Sequence, residues 1–136
     1  MEHAFKQKVF YSDTDAYGVV WHGSYLRWLE MGRVYLAEKT GYTLIELEEQ
    51  DIVLPVVELD IKYKASAKLD DEIKIITELK DRTKCSMIFY QKITDKEETK
   101  VYVEAIVTVV AINKDGKLYR SLPEQLNKLF ENLVTV

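Results

Sequence analysis

The chain has 136 residues, 47% hydrophobic and 31% charged, which is typical of a globular protein and predicts a single domain over 1–136. Nineteen basic and 23 acidic residues give a net charge of −4, which argues against nucleic-acid binding through overall charge but leaves room for a local phosphate site. No apolar run approaches the ~20 residues that span a bilayer, and the charged segment 1–10 lacks the apolar stretch of a signal peptide, so we expect a cytoplasmic protein.

The first predicted elements are a strand and a long helix. Residues 5–11 alternate loosely, which predicts a short strand, and 22–39 have the 3.6-residue period of a helix. One helix face collects Tyr25, Leu29, Gly32 and Leu36, with Trp28 and Tyr35 beside it. Gly32 in the middle of this face indicates close approach of another backbone, and Gly41 stands where helices often end in a left-handed residue.

Most of the remaining chain is predicted to form strands. They cover 52–63, 72–80, 85–94 and 101–112, and a final helix is predicted over 122–133. The strand 101–112 is apolar at most positions on both faces, as in a central strand that is buried on both sides. Short connections predict antiparallel pairing, because a parallel crossover needs a dozen residues or more. A helix that is apolar nearly all round must be covered nearly all round, so we expect an α+β fold in which a curved antiparallel sheet wraps a long central helix.

The segment 11–25 gives the strongest indication of chemistry. Asp13 and Asp15 lie in the loop before the helix, and loop aspartates usually cap turns by accepting hydrogen bonds from backbone amides. Gly18 permits a sharp turn, and the helix is predicted to begin about seven residues after Asp15. The first amides of a helix lack internal partners and carry partial positive charge, so a carboxylate beside them provides both halves of an acyl-transfer site. Ser24 could instead cap the helix and start it slightly later.

A longer motif includes both aspartates. It reads Asp13-Thr-Asp15-x-x-Gly18-Val-Val-Trp-His22-x-x-Tyr25, followed by Arg27-Trp-Leu-Glu30. The motif resembles that of the 4-hydroxybenzoyl-CoA thioesterase family of hotdog proteins, especially its YbgC-like acyl-CoA thioesterase branch, and weaker matches follow in order at 55–57 and 67–72. The resemblance implies a hotdog fold and hydrolysis of the thioester of acyl-CoA or acyl-carrier protein. It implies no cofactor, with coenzyme A present as part of the substrate.

The resemblance also implies roles for individual residues. Asp15 matches the catalytic carboxylate, which acts as a general base on water or as a nucleophile that forms a transient anhydride. The backbone amide of His22 matches the donor that polarises the thioester carbonyl, and its side chain matches a histidine that orients water or substrate. The implied substrate-binding residues are Tyr11, Gly18, Val19, Trp21 and Tyr25. Tyr17 departs from the smaller residues usual at its position, which bears on the size of the acyl group rather than on the chemistry.

Other reactive side chains have simpler explanations. Cys85 lies on the apolar face of a predicted strand, where a free cysteine is usually a small buried hydrophobe. The two histidines and the single cysteine have no metal-ligand spacing, so we expect no metal site. Glu30, about two helical turns after His22, is either a residue that supports the site or a solvated helix position.

Two other functions fit parts of the same pattern. A non-catalytic acyl-carrier or lipid-binding module would use the same apolar cleft without needing Asp15, and a dehydratase would need a different acid–base pair. The family also implies basic residues that hold the phosphates of coenzyme A, and the candidates are Lys62, Lys64, Lys68, Arg82 and Lys84. An exposed sheet edge invites pairing, so we expect a homo-oligomer, either a dimer or a dimer-of-dimers homotetramer.

Overall fold

The computed structural model describes residues 2–131. Its strands are β1 (Glu2–Lys8), β2 (Val56–Tyr63), β3 (Glu72–Arg82), β4 (Ser86–Asp95) and β5 (Val101–Val110). Its α-helices are α1 (His22–Glu38) and α2 (Leu44–Glu49), and two 3-10 helices cover Tyr11–Asp13 and Glu124–Phe130. Within this part of the chain, no helix has the length and apolar composition needed to cross a membrane.

The strands form one five-stranded sheet in the order β1-β3-β4-β5-β2, and every neighbouring pair is antiparallel. The predicted antiparallel pairing is therefore confirmed. β4 lies at the centre and β2 forms one edge, where seven of its eight residues are exposed. β5 pairs on both sides as predicted, but its outer face is not fully buried, because the Ile106 side chain is 47% exposed.

The helix α1 packs against the sheet through the face that its sequence period predicts. The buried residues of α1 are Ser24, Tyr25, Trp28, Leu29, Gly32 and Leu36. Gly32 lies so close to the sheet that an added Cβ atom would collide with Thr77 Oγ1 and come within 3.1 Å of Gln91 Nε2. The predicted close approach at Gly32 is real, although the neighbours are side chains of β3 and β4 rather than a backbone.

The opposite side of α1 is not covered within one chain. Arg27 and Glu30 are exposed, and Leu26 is 38% exposed. In one copy of the chain, the sheet therefore covers one side of α1 and leaves the side with Leu26, Arg27 and Glu30 exposed. The sheet lies on one side of α1 only, since α1 packs mainly on β3 and β1. The α+β arrangement of one long helix against an antiparallel sheet is confirmed.

Several predicted elements differ from the structure, and three differences are informative. The first strand ends at Lys8 rather than at residue 11, because the Asp13 carboxylate accepts a hydrogen bond from the Phe10 amide and closes the chain into a 3-10 turn. The helix α2 was not predicted, since its six residues include three glutamates and only Leu47 is buried. The C-terminal element is a 3-10 helix, Glu124–Phe130, and the last two residues of the predicted helix 122–133 lie outside the described residues.

Candidate active site

The loop before α1 is a tight turn that presents Asp15. The Asp15 amide donates to the Val19 carbonyl at 2.8 Å, and the Gly18 amide donates to the Asp15 carbonyl at 3.1 Å. Gly18 has φ +79°, a left-handed conformation that favours glycine. The Asp15 carboxylate accepts one hydrogen bond, through Oδ1 from the Tyr17 amide at 2.8 Å. Asp15 is partly exposed, and no hydrogen-bond partner of its Oδ2 lies within residues 2–131, so this oxygen can accept a proton or attack a carbonyl carbon.

Asp13 is a structural residue of the same loop. Its side chain is 5% exposed, its Oδ2 accepts from the Phe10 amide at 2.9 Å, and its Oδ1 forms an ion pair with Arg27. Its carbonyl oxygen accepts from the Trp21 amide at 2.9 Å and from the Ser24 hydroxyl at 3.0 Å. The contacts with Ser24 and Arg27 join the loop to the first two turns of α1, the Trp21 contact holds the N-cap residue, and the Phe10 contact closes the loop itself.

The helix start follows from those contacts. Because the Ser24 hydroxyl donates to the Asp13 carbonyl, it does not cap the helix, and α1 begins at His22 with Trp21 as the N-cap residue. The His22 amide has no hydrogen-bond acceptor in the described part of the chain. It is one of the unpaired amides at the positive end of the helix dipole, which suits it to bind a carbonyl oxygen that gains negative charge.

Aromatic side chains surround the start of α1. The His22 ring lies 5.1 Å from the Trp21 ring and 6.4 Å from the Tyr63 ring, measured between centroids. The Tyr63 hydroxyl is 3.5 Å from the His22 carbonyl oxygen, to which it donates, and burial raises the pKa of Tyr63. A Cβ atom at Gly23 would lie 2.6 Å from Trp21 Cε3, so the indole lies over the helix backbone at Gly23 and would have to shift for a larger residue there.

The chain is similar to known thioesterases in both sequence and structure. A profile of the thioesterase-like superfamily matches residues 9–130. The acyl-CoA thioester hydrolase YbgC of Escherichia coli is 33% identical over 119 residues, which cover 88% of each chain. The acyl-CoA thioesterase YbgC of Haemophilus influenzae is 30% identical over 131 residues, which cover 96% of this chain and 95% of that one. The crystal structure of a probable thioesterase from Bartonella henselae matches with a TM-score of 0.84 and 28% identity, over 90% of this chain and all of the other.

This chain belongs to the thioesterase-like superfamily. The resemblance drawn from the motif around Asp15 is confirmed, and so is the hotdog fold. The enzyme class expected from the sequence, thioester hydrolase, is confirmed at the level of the family, because its relatives carry that name. The roles of individual residues stay predictions.

The two predicted catalytic residues lie at the same end of α1. A β-bridge pairs Thr14 with Val20 and brings the two arms of the loop together. Asp15 comes directly after Thr14, and His22 comes two residues after Val20. The Asp15 carboxylate and the His22 ring form neither a hydrogen bond nor an ion pair. Any cooperation between Asp15 and His22 therefore passes through a bound substrate or water.

The predicted substrate-binding residues fall into two groups. Tyr11 and Trp21 are 81% and 51% exposed, and Gly18 and Val19 form the turn beside Asp15. Tyr25 is only 3% exposed, and its hydroxyl accepts a hydrogen bond from the Ala67 amide at 2.9 Å. Burial raises the pKa of Tyr25, which fits a neutral phenol that binds the β2–β3 connection at Ala67. Substrate contact by these residues stays a prediction.

Sequence reasoning missed Tyr63 and Gly23. Tyr63 shares the inward face of β2 with Leu59 and Ile61 at a spacing of two residues, so its side was predictable from the strand period. The proximity of Tyr63 to His22 could not be predicted in this way, because it depends on how β2 crosses the start of α1. Gly23 was visible in the motif, but nothing in a linear pattern shows that the Trp21 ring folds back over it.

The candidate phosphate-binding residues are divided by the fold. Lys68 forms a β-bridge with Val19 and so lies beside the Asp15 turn. Lys64 pairs with Glu104 at 3.1 Å, and Arg82 packs over the Phe130 ring at the other end of β3. Lys68 is therefore the candidate best placed to reach a substrate at the start of α1.

Two further observations concern the metal-ligating side chains and the cysteine. Residues 2–131 contain no group of three or more His, Cys, Asp or Glu side chains that could hold a metal ion. The Cys85 thiol is partly buried at the β3–β4 connection, 4.0 Å from Thr83 Oγ1.

Proposed function

We propose that the protein hydrolyses the thioester bond of acyl-CoA, with Asp15 as the essential carboxylate. The observation that supports this most directly is the uncommitted Oδ2 of Asp15 in the same loop that leads to the unpaired His22 amide. One group can activate the attack, and the other can stabilise the oxyanion that results. The names of the relatives as acyl-CoA thioesterases support the same substrate class.

The simplest reaction uses Asp15 as a general base. Water loses a proton to the Asp15 carboxylate while its oxygen attacks the thioester carbon, and the carbonyl electron pair moves to the oxygen beside the His22 amide. The tetrahedral intermediate then collapses and expels the thiolate, which takes the proton back from Asp15. The products are the free acid and the thiol, and Asp15 returns to its starting charge.

A nucleophilic role for Asp15 gives the same products by two displacements. The carboxylate attacks the thioester carbon, the thiolate leaves, and a mixed anhydride forms. Water then hydrolyses the anhydride to the free acid and the protonated Asp15, which gives its proton to the thiolate and returns to the carboxylate. The His22 amide stabilises the oxyanion in either route, and loss of one such donor typically costs about 10²–10³ in rate.

The remaining site residues have binding roles in this proposal. Tyr11, Gly18, Val19, Trp21 and Tyr25 surround the acyl group and the thioester. The His22 ring orients water or substrate, and Tyr63 holds the first turn of α1 through its hydrogen bond to the His22 carbonyl. Lys68 is a charged donor for a phosphate of coenzyme A, and this contact should weaken as salt concentration rises.

The test is thiol release from a panel of acyl-CoAs that runs from short aliphatic to long-chain and aromatic acyl groups. Hydrolysis of one class by the wild-type protein is the expected result, and the panel would also identify the acyl preference. The same panel on acyl-carrier protein would show which carrier is preferred. A folded protein that hydrolyses neither kind of thioester would contradict the proposal and favour a non-catalytic binding module.

We further propose a cytoplasmic homo-oligomer, a dimer or a dimer-of-dimers homotetramer. The exposed edge strand β2 and the uncovered side of α1 around Leu26 supply surface for a second copy. Light scattering coupled to size-exclusion chromatography is expected to give two or four times 15.9 kDa. A monomer at micromolar concentration would contradict this assembly.

A further inference from the structure

A buried polar pair lies under the middle of α1. Gln91 of β4 and Thr77 of β3 stand opposite each other in the sheet, and both are fully buried on the face that packs against α1. Their neighbours on this face, Ile75 and Ile93, are apolar and equally buried. A buried amide costs free energy unless it is hydrogen-bonded, so a glutamine among these side chains indicates a role beyond filling the core.

Both polar atoms of the Gln91 amide have partners. Its Nε2 donates to the Leu29 carbonyl at 2.8 Å and to Thr77 Oγ1 at 2.7 Å. Its Oε1 accepts a hydrogen bond from Arg33 Nη1 at 2.9 Å. Leu29 and Arg33 both belong to α1 and lie about one helical turn apart, whereas Thr77 belongs to the sheet. The Gln91 amide therefore joins the sheet to α1 at two points along the helix axis.

Gly32 lets the backbone of α1 come close to this polar pair. An added Cβ atom at Gly32 would collide with Thr77 Oγ1 and come within 3.2 Å of Ile75 Cγ2. Because an α-helix rises about 1.5 Å per residue, a slip of one residue would break both bonds from α1 to Gln91 and bring a side chain against Thr77. These contacts therefore favour a single axial position of α1 on the sheet.

The axial position of α1 matters for the candidate active site because the two halves of that site are attached differently. The His22 amide is part of α1 and moves with the helix. The Asp15 turn is attached to the β2–β3 connection, since the Val20 amide donates to the Ala67 carbonyl at 2.9 Å. The Asp13 end of the same loop is held by α1, so a shift of the helix would strain the turn between its two attachments. Such a shift would therefore displace the His22 amide relative to the Asp15 carboxylate.

We propose that Gln91, together with Thr77, is a positioning residue of the active site. It holds α1 at one axial position on the sheet and so sets the place of the His22 amide relative to the Asp15 carboxylate. Gln91 is too deeply buried to contact a substrate and acts only through α1. The effect on rate rests on the proposed thioester hydrolysis, whereas the effect on the position of α1 can be measured without turnover.

The decisive variant combines Gln91→Met with Thr77→Val. It removes both buried polar side chains at once, and Arg33, which is only partly buried, can bind water instead. Replacing both partners of a buried hydrogen bond by apolar groups of similar shape is often neutral or stabilising, so the urea midpoint should stay the same or rise. Because a displacement of about 1 Å can cost about 10² in rate, kcat should fall about tenfold to hundredfold while KM changes less than about threefold.

Two single variants are matched controls. Ile93→Val removes one carbon from the next inward-facing residue of β4 and no hydrogen bond to α1, so it should lower the urea midpoint and leave kcat unchanged. Thr77→Ser keeps the hydroxyl that accepts from Gln91, so it should keep the wild-type kcat. A purely structural role of Gln91 predicts instead that kcat is kept in every folded variant.

A second measurement does not depend on hydrolysis. The amide resonance of His22 in nuclear magnetic resonance spectra of the assembled protein should shift in the double variant and stay in place in Ile93→Val. Gly32→Ala, whose added Cβ atom pushes α1 away from Thr77, should also shift this resonance and lower kcat. Should the double variant fail to fold, Gly32→Ala tests the same claim through the same two measurements.

The outcomes separate this proposal from the proposed function. Wild-type kcat in the double variant, an unmoved His22 resonance, or an equal fall of kcat in Ile93→Val would overturn the positioning role. If the wild-type protein hydrolyses no thioester, the proposed function fails, and the His22 resonance alone decides whether Gln91 holds α1 in place.

Discussion

Asp13 and Asp15 lie two residues apart in one loop and differ in how many of their carboxylate oxygens have a partner in the fold. Asp13 is buried, and both of its carboxylate oxygens and its carbonyl oxygen have partners in the loop or in α1. Asp15 is partly exposed, and only one of its carboxylate oxygens has a partner in the described chain. The first holds the loop against the helix, and the second is left available for chemistry.

The contrast shows how one loop can combine stability with reactivity. A catalytic carboxylate needs an oxygen that can take up a proton or attack a carbon, and a fully satisfied carboxylate lacks one. The loop must nevertheless stay fixed relative to the His22 amide, because a displacement of about 1 Å can cost about 10² in rate. The contacts of Asp13 provide that fixation, so mutations at the two aspartates should have different consequences.

The largest effect is expected for Asp15→Asn. The amide can keep the hydrogen bond from the Tyr17 amide but can act neither as a base nor as a nucleophile, so kcat for acyl-CoA should fall by about 10²–10⁴. The free energy of unfolding should change by less than about 0.5 kcal/mol, as for a surface substitution. Asp95→Asn is the matched control, because the Asp95 carboxylate accepts its hydrogen bonds from Thr99 and Lys100 in the β4–β5 turn rather than in the Asp15 loop. Near-native turnover by Asp15→Asn would refute the assignment.

The second effect is expected for Asp13→Ala. The change removes the partner of Arg27 and leaves the Phe10 amide without its acceptor, so we expect a loss of about 1–3 kcal/mol in the free energy of unfolding. The value is moderate because Arg27 is 58% exposed and keeps its hydration. Urea unfolding measures this loss, and an unchanged midpoint would show that the Asp13 contacts do not hold the loop.

A smaller effect is expected for Arg27→Gln. The substitution removes the charge from the partly exposed side of the pair but leaves the backbone contacts of Asp13 in place, so we expect a loss of about 0.5–1 kcal/mol. The loss should shrink in high salt, which screens an exposed charge more than a buried one. Equal losses in low and high salt would point to packing on the Trp28 ring, which Arg27 also contacts.

The smallest effect on stability is expected at Asp95, an aspartate whose two carboxylate oxygens have hydrogen-bond partners but lie near the surface. Its oxygens accept from the Thr99 hydroxyl and from the amides of Thr99 and Lys100, and the Thr99 hydroxyl is the main cause that lowers the pKa of Asp95 below 3.8. A folded-state pKa below the unfolded one stabilises the fold above the unfolded value, and this contribution is lost as pH falls through the folded value.

Asp95→Asn should therefore be slightly less stable than the wild type at pH 7, and the difference should shrink towards pH 3. Urea unfolding of both proteins at the two values tests this. A difference that grows as pH falls would mean that the sign of the shift is wrong.

The sequence predicted the parts of this account that depend on local pattern. The period of α1 gave its bounds to within one residue, and the motif around Asp15 and His22 indicated the family. It did not show that Ser24 donates to the Asp13 carbonyl, which decides where α1 starts. It also did not show the contact between Tyr63 and His22, because residues 41 positions apart in the chain meet only through the packing of β2 on α1.

The measurement that tests the central claim most directly is thiol release from the preferred acyl-CoA, made in parallel with urea unfolding on wild type, Asp15→Asn and Asp13→Ala. The account predicts that Asp15→Asn loses hydrolysis and keeps the wild-type stability. It predicts that Asp13→Ala loses stability and, below its unfolding transition, loses at most about 10² in kcat through movement of the loop, because the Asp15 carboxylate is still present. Full activity in Asp15→Asn, or loss of activity in Asp13→Ala alone, would contradict the assignment of Asp15 as the essential carboxylate.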